Sequence, residues 1–228
     1  LFNLFSKGAI IALRIWIIAQ LYEASFSSGV VGQIEGITPA MIIWMVTLTQ
    51  AFGIVTSPDV GTLISEDVRK GEIAYSLLRP ISYPMQQFAG FWGRSAPSLI
   101  LGTTLSVIVA FLLVGGFELH LKALFFGSIL LILGLTLHFL ISLSIGLLAF
   151  WTEDVSAFRW IYQKLYIMLG GMILPPAIFP ERLQWIVERL PFAHLFYSAS
   201  EVIVLFDYTR MMQHLCVQVG WVILLSIV

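Results

Sequence analysis

An all-α integral membrane protein with six transmembrane helices is what this chain encodes, and three features say so. Hydrophobic residues make up 59% of its 228 residues, and the mean hydropathy is +0.94. A soluble domain builds its core with about 45–50% apolar residues. The excess falls in runs that match the roughly 20 apolar residues a bilayer crossing needs. Charge is sparse, at 11% of the chain, and is gathered into connectors between these runs.

The first predicted span runs from Gly8 to Phe26 and carries Arg14. An unpaired charge at the bilayer centre costs about 3 kcal/mol or more, so Arg14 is expected to snorkel or to face neighbouring helices. A Gly- and Ser-rich turn leads to the second span, Pro39 to Thr56, where Gln50 and two threonines can bond adjacent helices. A charged connector, Ser57 to Arg94, is interrupted by Pro58, Pro80 and Pro84. The third span covers Ser95 to Phe117. The fourth, Ala123 to Phe150, contains no proline and is long enough to cross with tilt. A second charged connector, Trp151 to Lys164, merges into a fifth span near Ile161–Ile173, and the last span runs from Met211 to Val228.

The segment Leu174 to Asp207 reads differently. Its apolar stretches are too short to cross and are broken by Pro175, Pro176, Pro180 and Pro191. The pattern predicts a re-entrant pair of short helices, near Pro180–Leu190 and His194–Phe206. Glu181, Arg182, Glu188 and Arg189 are expected on the wet face of the first. Backbone of this kind is tolerated at membrane depth only against protein or a water-filled cavity.

With six spans the connectors alternate sides. One side receives eight basic residues (Lys7, Arg14, Arg69, Lys70, Arg79, Arg94, Arg159 and Lys164) and the other four (Lys122, Arg182, Arg189 and Arg210). The positive-inside bias then puts both termini and both charged connectors in the cytoplasm.

The stretch Glu66–Pro80, EDVRKGEIAYSLLRP, holds six charged residues in fifteen. It reads as a helix from about Pro58 to Leu78, capped by Asp59 or Ser57, with a bend allowed at Gly71. Val60, Leu63, Ile64, Val68 and Ile73 recur at helical spacing on one face. Such a helix can lay its apolar face in a partner's groove while its charges fix the orientation. It can equally be a solvated helix lying against the headgroups. FWTEDVSAF, Phe150–Phe158, is a shorter version, with Thr152 as N-cap and acids in the first turn; it too can be an ordinary capped turn.

Several functions are disfavoured. The net charge of −1 gives no footprint for nucleic acid. Cys216 is the single cysteine, so no internal disulfide forms, and the four histidines show no ligand spacing. No phosphate-binding G-x-x-x-x-G-K-[ST] loop, nucleophile elbow or H-E-x-x-H pair is present. Ionisable residues within the spans are few, which argues against a proton-coupled carrier. No basic leader with a cleavage site precedes the first span. The opening at Leu1 rather than a methionine suggests a longer native N-terminus. No separate soluble domain is evident, so residues 1–228 are read as one transmembrane domain.

Three blocks carry a family resemblance: EDVRKGEIAYSLLRPISYP (Glu66–Pro84), GLLAFWTEDVSAFRWIYQKLYIMLGG (Gly146–Gly171) and FPERLQWIVERLPF (Phe179–Phe192). In this order they resemble bacterial ABC-transporter permeases of the type-2, exporter-like class, and the likeness extends over essentially the whole chain. The resemblance implies a permease domain of the bacterial inner membrane. It would pair with a second permease chain, identical or a sister, and with two cytoplasmic ABC ATPase subunits. ATP and Mg would be bound by those ATPases, leaving this chain without a cofactor and without catalytic residues of its own. Carried over by residue, Glu66, Asp67, Arg69, Lys70, Gly71 and Glu72 would form the main coupling contact, with Thr152, Glu153 and Asp154 as the second. An ATP-independent carrier or channel is the alternative, with the charged connector as a headgroup anchor. An intramembrane enzyme lacks a catalytic constellation.

Overall fold

The computed structural model describes residues 13–21, 24, 38–53, 59–117, 119–152 and 154–227, and every regular element among them is helical. Helix α1 covers 13–21, α2 Pro39–Gly53, α3 Val60–Lys70, α4 Ile73–Leu77, α5 Tyr83–Val114 and α6 Leu121–Leu147. Then follow α7 (Ala149–Thr152), α8 (Ser156–Leu169), α9 (Glu181–Val187), α10 (Tyr197–Val204) and α11 (Tyr208–Ser226).

Two of the described helical stretches, Tyr83–Val114 and Leu121–Thr152, are long and apolar enough to cross a membrane. They correspond to the third and fourth predicted spans, the first of them ending at Val114, three residues short of Phe117. Helix α5 starts well before Ser95, because Pro84 opens it instead of interrupting the connector. A proline in the first turn sacrifices no intrahelical hydrogen bond. The second predicted span appears as α2, and Arg14 is exposed on α1. The fifth is shorter than a crossing. Helix α8 has 14 residues, or about 21 Å at 1.5 Å per residue, and stops at Gly170 before Gly171, whose φ is 73°.

The core is built on α6. Its buried glycines mark where other elements come closest. A Cβ on Gly134 would collide with the carbonyl of Leu195, one on Gly127 with the Ile203 side chain, and one on Gly146 with Ile64 and Gly61 of α3. Glycine here gives up helix propensity so that two backbones can approach. Helix α10, all eight residues buried, fills the space between α6 and α2. From Ile42 to Gly53, α2 is buried at every position except Gln50. Gln50 donates to the Met172 carbonyl at 2.9 Å, and Thr49 bonds Ser200 of α10. Two of the three polar side chains singled out on α2 therefore join neighbouring segments, whereas the hydroxyl of Thr47 is buried without a partner.

The segment Leu174–Asp207 contains two short helices, α9 and α10, in place of one continuous helix. Its prolines act as helix starters. Pro176 and Pro191 open 3-10 turns (Pro176–Ile178 and Pro191–His194), Pro175 flanks the first of these, and Pro180 is the cap residue before α9. Arg182 is exposed as expected, and Arg189 stacks on Trp185 at 3.6 Å. Glu188 departs from the expected wet face. It is half-buried and pairs with Arg210 of α11 at 3.0 Å.

Substitution of Gly134 by alanine should disrupt the seat of α10. Overpacking a close contact costs about 1–3 kcal/mol, and here the clash is with backbone, which cannot rotate away. Gly220→Ala, with open space around its Cβ position, should be neutral or stabilise by up to about 1 kcal/mol. Thermal unfolding of detergent-purified protein, followed by tryptophan fluorescence, compares the two.

Candidate functional site

The residues singled out in the two connectors converge on one end of α6. Helix α3 forms because Asp59 caps it, accepting from the Gly61 amide, while Arg69 and Lys70 oppose the dipole in its last turn. Gly71 ends it with φ 72°, its N–H donating to the Val68 carbonyl at 3.1 Å. The bend expected at this glycine is therefore a left-handed cap, and α4 continues in a new direction.

The apolar face of α3 is already occupied. Val60, Gly61, Ile64 and Ser65 are buried, and the closest approach is to Gly146 of α6. The groove anticipated from the spacing of Val60, Ile64 and Val68 thus belongs to this chain itself. The other side of the helix, with Glu66, Arg69 and Lys70, is the exposed one.

That other side divides the candidate residues. Glu66 and Lys70 are exposed and form an i,i+4 pair at 3.4 Å, a geometry that contributes only about 0.3–0.5 kcal/mol. Arg69, Gly71 and Glu72 are exposed as well. Asp67 is different. Its Oδ2 accepts from the Tyr83 hydroxyl at 3.1 Å and from Gln87 Nε2 at 3.5 Å, tying α3 to the start of α5. Thr152 closes α7, its hydroxyl donating to the Leu148 carbonyl at 3.0 Å. Val155, rather than Thr152, holds the N-cap position of α8, and Asp154 precedes it. Asp154 accepts from the Ser156 backbone N–H and hydroxyl, both at 2.9 Å, and these bonds hold its carboxyl below the usual range. Glu153 lies outside the described residues.

Helices α3 and α7 pack together, so the two connectors form one surface. Beside its charges the surface exposes large apolar side chains: Leu78 at 82%, Trp151 at 79% and Tyr75 at 74%. Sequence reading missed these three, because a periodic run does not say which side faces out. Charged residues together with exposed aromatic and aliphatic side chains are the composition of an interaction surface.

Among known families, a model described as ABC-2 family transporter protein matches residues 9–228. The chain belongs to the ABC-2 transporter family. It is a membrane transport component, a permease of the ABC-transporter type. No curated protein and no solved structure matches it.

In this ABC-2 permease, α3 is also fastened to α8. Asp59 and Arg159 lie 3.7 Å apart at one side of a cleft of about 900 Å³, which Leu63, Glu66, Trp160 and Tyr166 also line. Burial raises the pKa of Asp59, opposed by the nearby Ser142 side chain, by the hydrogen bond from the Gly61 amide and by the Arg159 charge. At the floor of the cleft, His138 Nδ1 bonds the Tyr162 hydroxyl at 2.7 Å, joining α6 to α8.

Two outcomes follow for the permease. A raised folded pKa means that the Asp59 contribution to stability is full below the ordinary carboxylate range and is lost as pH rises through the folded value. Asp59→Asn keeps a good cap without the buried charge and should flatten this dependence, whereas Asp59→Ala should cost about 0.5–2 kcal/mol. Melting temperatures of the three proteins between acid and neutral pH measure both effects. Tyr83→Phe should cost about 1.5–3 kcal/mol for a hydrogen bond to a charged acceptor, read as faster proteolysis of the α3–α5 junction.

Proposed function

We propose that this ABC-2 permease forms half of the substrate pathway of an ATP-driven exporter, coupled to soluble ABC ATPase subunits that bind ATP and Mg. The ATPase docks on the face made by the C-terminal half of α3, by α4 and by the α7–α8 junction. The supporting observation is the joining of both charged connectors into one exposed surface, on a family member whose own sequence has no phosphate-binding loop. ATP binding would close the ATPases, and α3, wedged against α6 at Gly146, would pass the movement to the spans.

In this reading the chain crosses the bacterial inner membrane six times with both termini cytoplasmic, and α9–α10 re-enter from the outer leaflet. The short α8 completes the fifth crossing together with the residues that follow it. A second permease chain and lipid share the outward face of α5. The apolar window of that helix is only 11% buried, and Ile100, Leu101, Phe111 and Leu112 are exposed on it.

Arg69 and Lys70 are the residues to reverse, because both are exposed and neither carries the α3–α5 link. Close charge pairs at an interface couple by roughly 1.5–7 kcal/mol, so Arg69→Glu with Lys70→Glu should weaken ATPase co-purification at least about tenfold. Membrane insertion should be unchanged, and ATP turnover in liposomes should fall with binding. Co-purification and turnover equal to the parent would remove the docking assignment. Topology is checked separately by cysteine labelling at Ala74 and Ala157 in a Cys216→Ser background, expected from the cytoplasmic side alone.

A further inference from the structure

A buried polar chain joins the α9–α10 hairpin to α11, built from residues that no motif connects. His194, in the turn before α10, places Nε2 2.7 Å from the Glu188 carbonyl. Its Nδ1 lies 3.2 Å from Nδ1 of His214 on α11. His214 Nε2 lies 2.9 Å from Oε2 of Glu201 on α10. The other oxygen of Glu201 faces Arg210 at 3.4 Å, and Arg210 also holds Glu188 at 3.0 Å. His194, Glu201 and His214 are 1%, 6% and 4% exposed.

The hydrogens in this chain can be counted. A carbonyl oxygen only accepts, so His194 Nε2 carries a hydrogen. The contact between the two Nδ1 atoms needs one hydrogen, and the contact between His214 and the carboxylate needs another. Three contacts therefore require three hydrogens. Two neutral imidazoles supply two. The third is an additional proton.

Charge balance leads to the same count. Glu188 and Glu201 are two anions facing one guanidinium, Arg210. One imidazolium makes the cluster neutral, which a buried setting favours strongly over an unpaired charge. With Arg210 on its Oε1, Glu201 stays ionised and the proton rests on the imidazole side.

Among the described residues no other packed element supplies the missing cation, and Arg189, next to Glu188, stacks on Trp185. Helix α2 has no titratable residue. Helix α6 carries Lys122, exposed at its start, and His138, which is engaged by Tyr162. From α8, Tyr162 and Tyr166 meet Phe192 and Phe196 instead. Tyr197 of α10 acts on Arg210, and Gln218 of α11 donates to the His194 carbonyl at 2.6 Å.

We infer that His194, His214 and Glu201 form a binding site for a single proton, which fastens the α9–α10 hairpin to α11. The site is loaded at low pH and emptied as pH rises. Once the proton leaves, one of the three contacts sets lone pair against lone pair, and the hairpin loosens from α11. His194 packs against Gly134, twelve residues or about 18 Å along α6 from the α3 seat at Gly146. ATPase docking can therefore fail while this site persists.

The test is ¹⁵N-histidine NMR of the full chain in lipid nanodiscs, with signals assigned through His120→Asn and His138→Asn. At low pH one ring of the His194–His214 pair should be doubly protonated and the other singly protonated at Nε2. As pH rises the pair should lose one proton in a single step, with both rings shifting together. In Glu201→Gln the amide can donate to His214, so the imidazolium signal should be lost throughout, while Glu201→Asp should retain it. Hydrogen exchange of the α10 amides, corrected for intrinsic rates, should accelerate across the same step in the parent and not in Glu201→Gln. Two neutral rings in the parent at every pH where the chain is folded, or two independent titrations, would overturn the site. Should Glu201→Gln fail to fold, the parent titration decides alone.

Discussion

Everything described here hangs on the surface of α6, where glycine lets two other backbones come close. Gly127 and Gly134 are two helical turns apart and face the α10 hairpin, and Gly146 faces α3. Without a hydrophobic driving force between helices in lipid, association relies on close van der Waals contact and on interhelical hydrogen bonds. The glycine seam provides the first. Gln50, Gln218 and His138 provide the second, each reaching from one segment to a neighbouring one. A side chain at Gly134 would push the Leu195 carbonyl away from α6 and with it His194, whose carbonyl also contacts that position.

This arrangement makes α6 the element on which both α3 and the α9–α10 hairpin are seated. One end bears the charged helix α3, and the rest the hairpin that shares the His–His–Glu chain with α11. Helix α3 does not ride freely on the membrane surface. It is fixed to α6 by Ile64, to α5 by Asp67 and to α8 by Asp59. A force applied to the exposed charges of α3 would therefore reach three helices at once, which is what a coupling element must do. The aromatic group around His138, with Phe91, Tyr162, Tyr166 and Phe196, packs the middle of the same helix.

Much of this was legible in the residues. The Asp59 cap, the break at Gly71 and the short helices between Pro180 and Phe206 each depend on chemistry within a few residues of themselves. Asp67 was grouped with its charged neighbours because sequence alone cannot tell an aspartate in solvent from one satisfied by Tyr83, sixteen residues on. The fifth span was drawn from hydropathy near Ile161–Ile173, yet the helix begins at Ser156 and ends before Gly170. Left-handed Gly171 stops it, a backbone event that an apolar average does not register.

Composition and local spacing determined that this is a helical membrane protein, where its long apolar helices lie and where its charge is collected. Those properties belong to single segments, set by solvent transfer and by hydrogen bonds inside one helix. Tertiary structure decided which side of α3 is free, which glycines are contacts, and that Glu188, His194, Glu201, Arg210 and His214 meet. His214 lies 20 residues from His194 and 13 from Glu201, across a turn and a helix boundary whose angles no periodicity encodes. Their meeting depends on how α10 and α11 pack on α6, a matter of shape and volume among distant parts of the chain.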